Sequence, residues 1–203
     1  MNRKEAVKDY FVDYKKRLFD LIEATDIDAM TKVIDQMINT FKNDNTVYVC
    51  GNGGSAATAS HMQADFSFFT RYFTNFRPKV KALTDNLPLI SAIGNDKSFD
   101  EIFVEQLKGN FKKGDMLICI SASGNSKNLI NAVQFVKENK GYSVGLLGFD
   151  GGELLKLCDL SLFNKGMNKD YGPIEDVHMI FNHFIVNYLS KDQEFLNIKQ
   201  IIN

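Results

Sequence analysis

From Arg3 to about Ala24, apolar residues recur at helical spacing (Ala6, Tyr10, Phe11, Tyr14, Leu18, Leu21 and Ile22), and Ile27 to Phe41 repeats the pattern after a Thr25-Asp26 break. The chain is therefore expected to open with a helical pair within residues 1–43. Beyond it the period changes. Short apolar runs, TVYVC (46–50), VKAL (80–83), MLICI (116–120), SVGLL (143–147) and LSLF (160–163), alternate with helical segments. That alternation predicts a parallel sheet wrapped by helices, an α/β architecture. No internal repeat or Pro/Gly/Ser linker interrupts it, so residues 1–203 are expected to form a single domain.

Composition narrows the function. Of the 203 residues, 44% are hydrophobic, enough for a substantial core. Lys and Arg number 24 against 25 Asp and Glu, a net charge of −1, so nothing draws the chain toward nucleic acid or an anionic membrane. No apolar run approaches the roughly 20 residues of a membrane helix. The N-terminal stretch lacks the apolar segment of a signal peptide, and a cytoplasmic location is expected. Cys50, Cys119 and Cys158 lie in or beside strand-like runs, where free buried thiols are expected rather than a disulfide or a cysteine metal site.

In parallel sheets ligands bind beyond the carboxyl ends of the strands, and three such junctions stand out. After the first run, Gly51-Asn52-Gly53-Gly54-Ser55 opens a helix, a geometry that brings backbone N–H groups close to an anion. Gly51, Gly53 and Ala56 also fit G-x-G-x-x-A, the pattern of a dinucleotide site, but a long helix and TRYFTNFRPK intervene where a second strand ending in an acidic residue should stand. After the third run, Ser121, Ser123, Gly124 and Ser126 crowd the turn, and hydroxyls with helix-start N–H groups suit a phosphate dianion. An ordinary Ser cap is the plainer reading of part of this cluster. No Walker lysine pattern accompanies either loop, which points to the phosphate of a small metabolite rather than of ATP or GTP. The third junction, Gly94-Asn95-Asp96, reads as a break between helices that could bind sugar hydroxyls or simply form a turn.

The three histidines fall in two short stretches. His61 and Asp65 are four apart on the helix after the glycine loop and share a face, within reach of one metal or substrate. In the last major helix Pro173 suits the first position, which places Glu175 and Asp176 in the first turn. Glu175 and His183 are eight residues apart, about 12 Å along a straight helix, too far for one metal unless the first turn is distorted or another subunit contributes. His178 lies about 140° around the helix from His183 and is the poorer partner.

The loops GNGGSAATASHMQAD and SASGNS, in this order and followed by a late helix ending in His183, resemble the SIS (sugar isomerase) domain family over nearly the whole chain. The resemblance argues against NAD. It implies a three-layer, doubly wound, five-stranded parallel sheet and a homotetramer with active sites at subunit contacts. It also implies a zinc-dependent aldose-ketose isomerase that converts sedoheptulose 7-phosphate to D-glycero-D-manno-heptose 7-phosphate for surface-polysaccharide heptose. Carried over by residue, it places substrate contacts at Asn52, Gly53, Gly54, Ser55, Asp65, Asn95, Asp96, Ser121, Ala122, Ser123, Ser126 and Glu175. Metal ligands fall at His61, Asp65, Glu175 and His183, with Asp65 and His183 as the acid/base pair. The chain departs from the family pattern in having Asp65 for Glu, Glu175 for Gln and Gly172 for an Asp. Those departures keep open a related sugar phosphate as substrate, or a non-catalytic sugar-phosphate sensor or protein adaptor.

Overall fold

The computed structural model describes residues 2–199. Asn2 caps α1 (Arg3–Glu23) by accepting from the Glu5 amide, while Glu5 reaches back to the Asn2 N–H, so two free donors of the helix start are satisfied reciprocally. Asp26 caps α2 (Ile27–Lys42) through the Ala29 amide. Both helices lie where the apolar spacing predicts them. There follow β1 (Val47–Gly51), α3 (Gly54–Phe68), β2 (Val80–Ala82), α4 (Leu87–Asp96), α5 (Val104–Lys108), β3 (Met116–Ser121), α6 (Lys127–Glu138), β4 (Tyr142–Leu147), α7 (Leu154–Leu157), β5 (Leu160–Phe163), α8 (Tyr171–Leu189) and α9 (Gln193–Leu196).

Each strand coincides with one of the five apolar runs. All pairings are parallel, in the order β2-β1-β3-β4-β5. Side chains alternate across the sheet and both faces are covered. Val47, Val49, Met116, Ile118 and Ile120 join residues of α2, α3 and α8 in one core, whereas Tyr48, Cys50, Leu117 and Cys119 join α5 and α6 in the other. The result is the three-layer, doubly wound sheet. Cys50 and Cys119 are register partners on neighbouring strands, both fully buried, with their sulfurs 3.5 Å apart as free thiols.

Two local expectations are corrected. Gly94, Asn95 and Asp96 do not break the chain but form the end of α4, and the break comes after them, at Lys97-Ser98. Asn86 caps that helix and Pro88 sits in its first turn, so the helix is well started and runs through the glycine. Likewise α8 begins at Tyr171, and Pro173 stands at its third position rather than its first. A first-turn N–H has no helical partner, so proline is tolerated there too. Glu175 thereby moves into the second turn.

The N-terminal helix is fastened to α8. The Tyr14 hydroxyl donates to Asp176 and Arg17 pairs with Asp170 and Asp13. Burial, together with the bond to Asp176, pushes the Tyr14 phenol up to about 12. Val7, Tyr10, Phe11, Val12 and Phe19 remain exposed along α1.

Candidate active site

After β1 the chain crosses to β2 on one side, and β3 then joins β1 on the other. The strand order therefore reverses at the carboxyl ends of β1 and β3, the place where open α/β sheets bind ligands. The register that pairs Gly51 with Ile120 sets the glycine loop beside the serine loop. Between them lies a cavity of about 140 Å³ lined by Asn52, Ser55, Ser121, Ala122, Ser123 and Ser126 on one side and by Tyr171 and Glu175 on the other.

Two helix starts open onto this cavity, and neither is capped by a side chain. Gly53 precedes α3 at φ +55, a left-handed conformation that suits glycine and aims the chain sharply from strand to helix. Ser126 occupies the cap position of α6, yet its hydroxyl makes no capping hydrogen bond. The serine is thus no ordinary cap, and it lines the cavity. Ser121 is committed to the loop, its Oγ accepting from the Gly124 amide at 3.0 Å. The loops are tied together by a pair that the sequence reading missed. Asn52 and Asn128 exchange two amide bonds of 3.0 and 2.9 Å, Asn128 being almost wholly buried. An Asn in the first turn of α6 carried no signal that would have marked it. Unpartnered N–H groups, helix dipoles and hydroxyls converging on one polar hollow make a receptor for a phosphate dianion.

A second cluster lies further along α3. Gly54, His61 and Asp65 follow each other at two-turn and one-turn intervals and so share a face. That face packs against α8, where His183 meets His61 with Nε2 atoms 3.0 Å apart. Asp65 Oδ2 lies 3.4 Å from His61 Nε2, and one ligand atom from each of the three residues falls within 4.8 Å of the others. Neighbouring ligands of a tetrahedral ion bound at about 2.0–2.1 Å are separated by about 3.3 Å, so these donors fit a divalent cation with one position open. The site is reachable, with His61 and His183 exposed and Asp65 partly so.

Glu175 does not join this cluster. Its carboxylate lies against Gly54, so closely that a Cβ there would overlap it, and it faces the phosphate cavity. The reason is the spacing along α8. Eight residues put Glu175 about 12 Å from His183, and the undistorted helix keeps them apart. Gly172 packs beside Tyr14 and offers no ligand. Asn95 and Asp96 are exposed at the end of α4, hydrogen-bonded to each other at 2.8 Å, and a single chain does not bring them to the cavity. His178 is buried and separate from the cluster. Burial pushes its pKa down to about 4, against a smaller opposing effect of the Leu147 carbonyl.

A family model described as SIS domain matches residues 10–148. A phosphoheptose isomerase of Aliarcobacter butzleri (strain RM4018) is 36% identical over 191 residues, covering 93% of this chain and 98% of its own. One from Aneurinibacillus thermoaerophilus is 35% identical over 186 residues, covering 88% and 91%. Among solved structures, phosphoheptose isomerase from Neisseria gonorrhoeae superposes with a TM-score of 0.84 at 27% identity, over 94% of this chain and 100% of that one. The chain belongs to the SIS domain family, in the branch of the phosphoheptose isomerases.

Proposed function

We propose that the protein interconverts sedoheptulose 7-phosphate and D-glycero-D-manno-heptose 7-phosphate by proton transfer between C1 and C2 through an enediol. The observation that carries this is the disposition of two unlike sites along one pair of helices. An anion receptor stands at the start of α3, and a cluster of proton-transfer groups stands two to three turns further along it. The α3 rise from Gly54 to His61 is about 10 Å, which suits an extended sugar bound by its phosphate at one end and reacting at the other.

The serine and glycine loops grip the phosphate through the Ser126 hydroxyl and the free amides of α3 and α6. Glu175, which as a carboxylate only accepts, takes hydrogen bonds from sugar hydroxyls next to the phosphate end, where it lies against Gly54. At the far end one of Asp65 and His183 removes the proton beside the carbonyl, and the other carries a proton to or from oxygen. His61, Asp65 and His183 would hold the divalent cation, zinc in this reading, which supplies Lewis-acid stabilisation of charge on the sugar oxygen. A group that serves as ligand cannot at the same moment act as a free base. Asp65 and His183 would therefore each move a proton only while released from the cation.

The assembly in this reading is a homotetramer with active sites at subunit contacts. The exposed apolar residues of α1 supply contact surface, and Asn95 and Asp96 reach the cavity of a neighbouring copy. Among the described residues no helix is long and apolar enough to cross a membrane.

The test is NMR of sedoheptulose 7-phosphate in D₂O with the protein, first with zinc and then with a chelator. Formation of the aldoheptose phosphate with deuterium at C2, slowed by chelation, is expected. Absence of both product and exchange with zinc present would overturn the assignment.

A further inference from the structure

Asp65 is held by a side chain that reaches across from α8. Asn182 precedes His183 on α8, is completely buried, and donates from Nδ2 to Asp65 Oδ2 at 2.7 Å. The amide can stand only this way round, because its oxygen turned toward the carboxylate would set two acceptors against each other. In that orientation Asn182 Oδ1 is buried without a hydrogen-bond partner. Buried polar atoms are nearly always paired, and an apolar residue of the same size would avoid the penalty of burying this one. The amide is thus poorly explained by the needs of the core. Its side-chain bond to the reactive cluster accounts for it.

We propose that Asn182 is a positioning residue for Asp65. By holding Oδ2, the oxygen that lies 3.4 Å from His61 Nε2, it fixes the carboxylate against the histidine pair. It thereby allows an aspartate, one methylene shorter than glutamate, to serve between His61 and His183. The inference rests on the isomerase reading for its kinetic consequence, but the bond itself can be tested without turnover.

The experiment compares the native protein, Asn182→Leu, Asp65→Ala and the double variant, using cobalt(II) as the metal probe. Asn182→Leu is expected to weaken cobalt binding about tenfold and to lower kcat about tenfold or more, with KM for the sugar phosphate within about twofold. In the Asp65→Ala background the same change should have no further effect on cobalt binding. Equal losses in both backgrounds, or none in either, overturn the proposal. Urea unfolding of the four apo proteins needs neither metal nor activity. A coupling of about fivefold or more in the unfolding equilibrium constant is expected, and additive effects there would refute the contact even if the protein isomerises nothing. Should Asn182→Leu fail to fold, Asn182→Ser, too short to reach Asp65, replaces it throughout. Rescue of kcat by Asp65→Glu in the Asn182→Leu background is a further expected result, since the longer carboxylate needs no support from α8.

Discussion

The carboxylate of Glu175 rests on the bare Cα of Gly54, where any side chain would collide with it. The contact joins α3 to α8 at the edge of the phosphate cavity. Gly54→Ala should therefore cost about 1–3 kcal/mol of stability through overpacking and lower kcat/KM about a hundredfold by displacing Glu175. Removing the obstacle should restore the stability. Urea melts of Gly54→Ala alone and combined with Glu175→Ala check this, and simple addition of the two penalties would show that the contact is not the cause.

Glu175 and the histidines should separate when metal binding is measured directly. Glu175→Gln is expected to leave cobalt affinity within about threefold while changing KM for the sugar phosphate. His61→Ala should lower cobalt affinity about a hundredfold or more by removing one of three ligands. Titration calorimetry of both variants decides, and a large loss of cobalt binding in Glu175→Gln would return that residue to the ligand set.

Ser126 offers a sharper separation of stability from binding. Its hydroxyl caps nothing, so Ser126→Ala should fall below the roughly 0.5–2 kcal/mol cost of losing an N-cap. Loss of a charge-assisted bond to phosphate should nevertheless raise KM about tenfold or more. Thermal unfolding and steady-state kinetics on one preparation would show it. A fall in stability with unchanged KM would mean that the serine is structural after all.

His178 predicts an acid dependence of stability. Its folded-state pKa is about 4 against an ordinary 6.5, so the unfolded chain holds the proton more tightly. The stabilisation is complete above about pH 7 and drains away as pH falls toward 4, by about 3 kcal/mol in all. Replacing His178 with Leu should flatten the decline across that window. Urea unfolding at pH 7.0, 5.5 and 4.5 provides the comparison, and parallel curves for both proteins would show that other groups are responsible.

Much of this architecture could be read along the chain because it depends on local periodicity. The short continuous apolar runs at 47–50 and 116–120 announce strands buried on both faces, and the glycine and serine loops lie where strands must end. The pairing of α3 with α8 could not be read. His61 and His183 are 122 residues apart, and nothing near either fixes which turn of one helix meets which turn of the other. Glu175, placed among the ligands by the resemblance, lies apart from His61, Asp65 and His183 within a single chain. Asn128 and Asn182 escaped notice because a buried amide is defined by its partner, and both partners, Asn52 and Asp65, lie on distant segments. The extent of α4 was misjudged for a local reason. Gly94 reads as a helix breaker, but near the end of a capped helix its cost is small.

The parallel run of α3 and α8 amounts to a gauge. Glu175 meets Gly54 at one mark and His183 meets His61 at another, and the interval is a fixed number of backbone turns that no side-chain rotation can shorten. In the proposed reading, a sugar phosphate anchored at the first mark would present to the second whichever carbon lies that far from its phosphorus. Shorter ketose phosphates, chemically competent and equally able to fill the anion receptor, would place no carbonyl within reach of the histidines. They would behave as occupants of the site rather than as reactants, and selection by carbon count would follow from helix pitch alone.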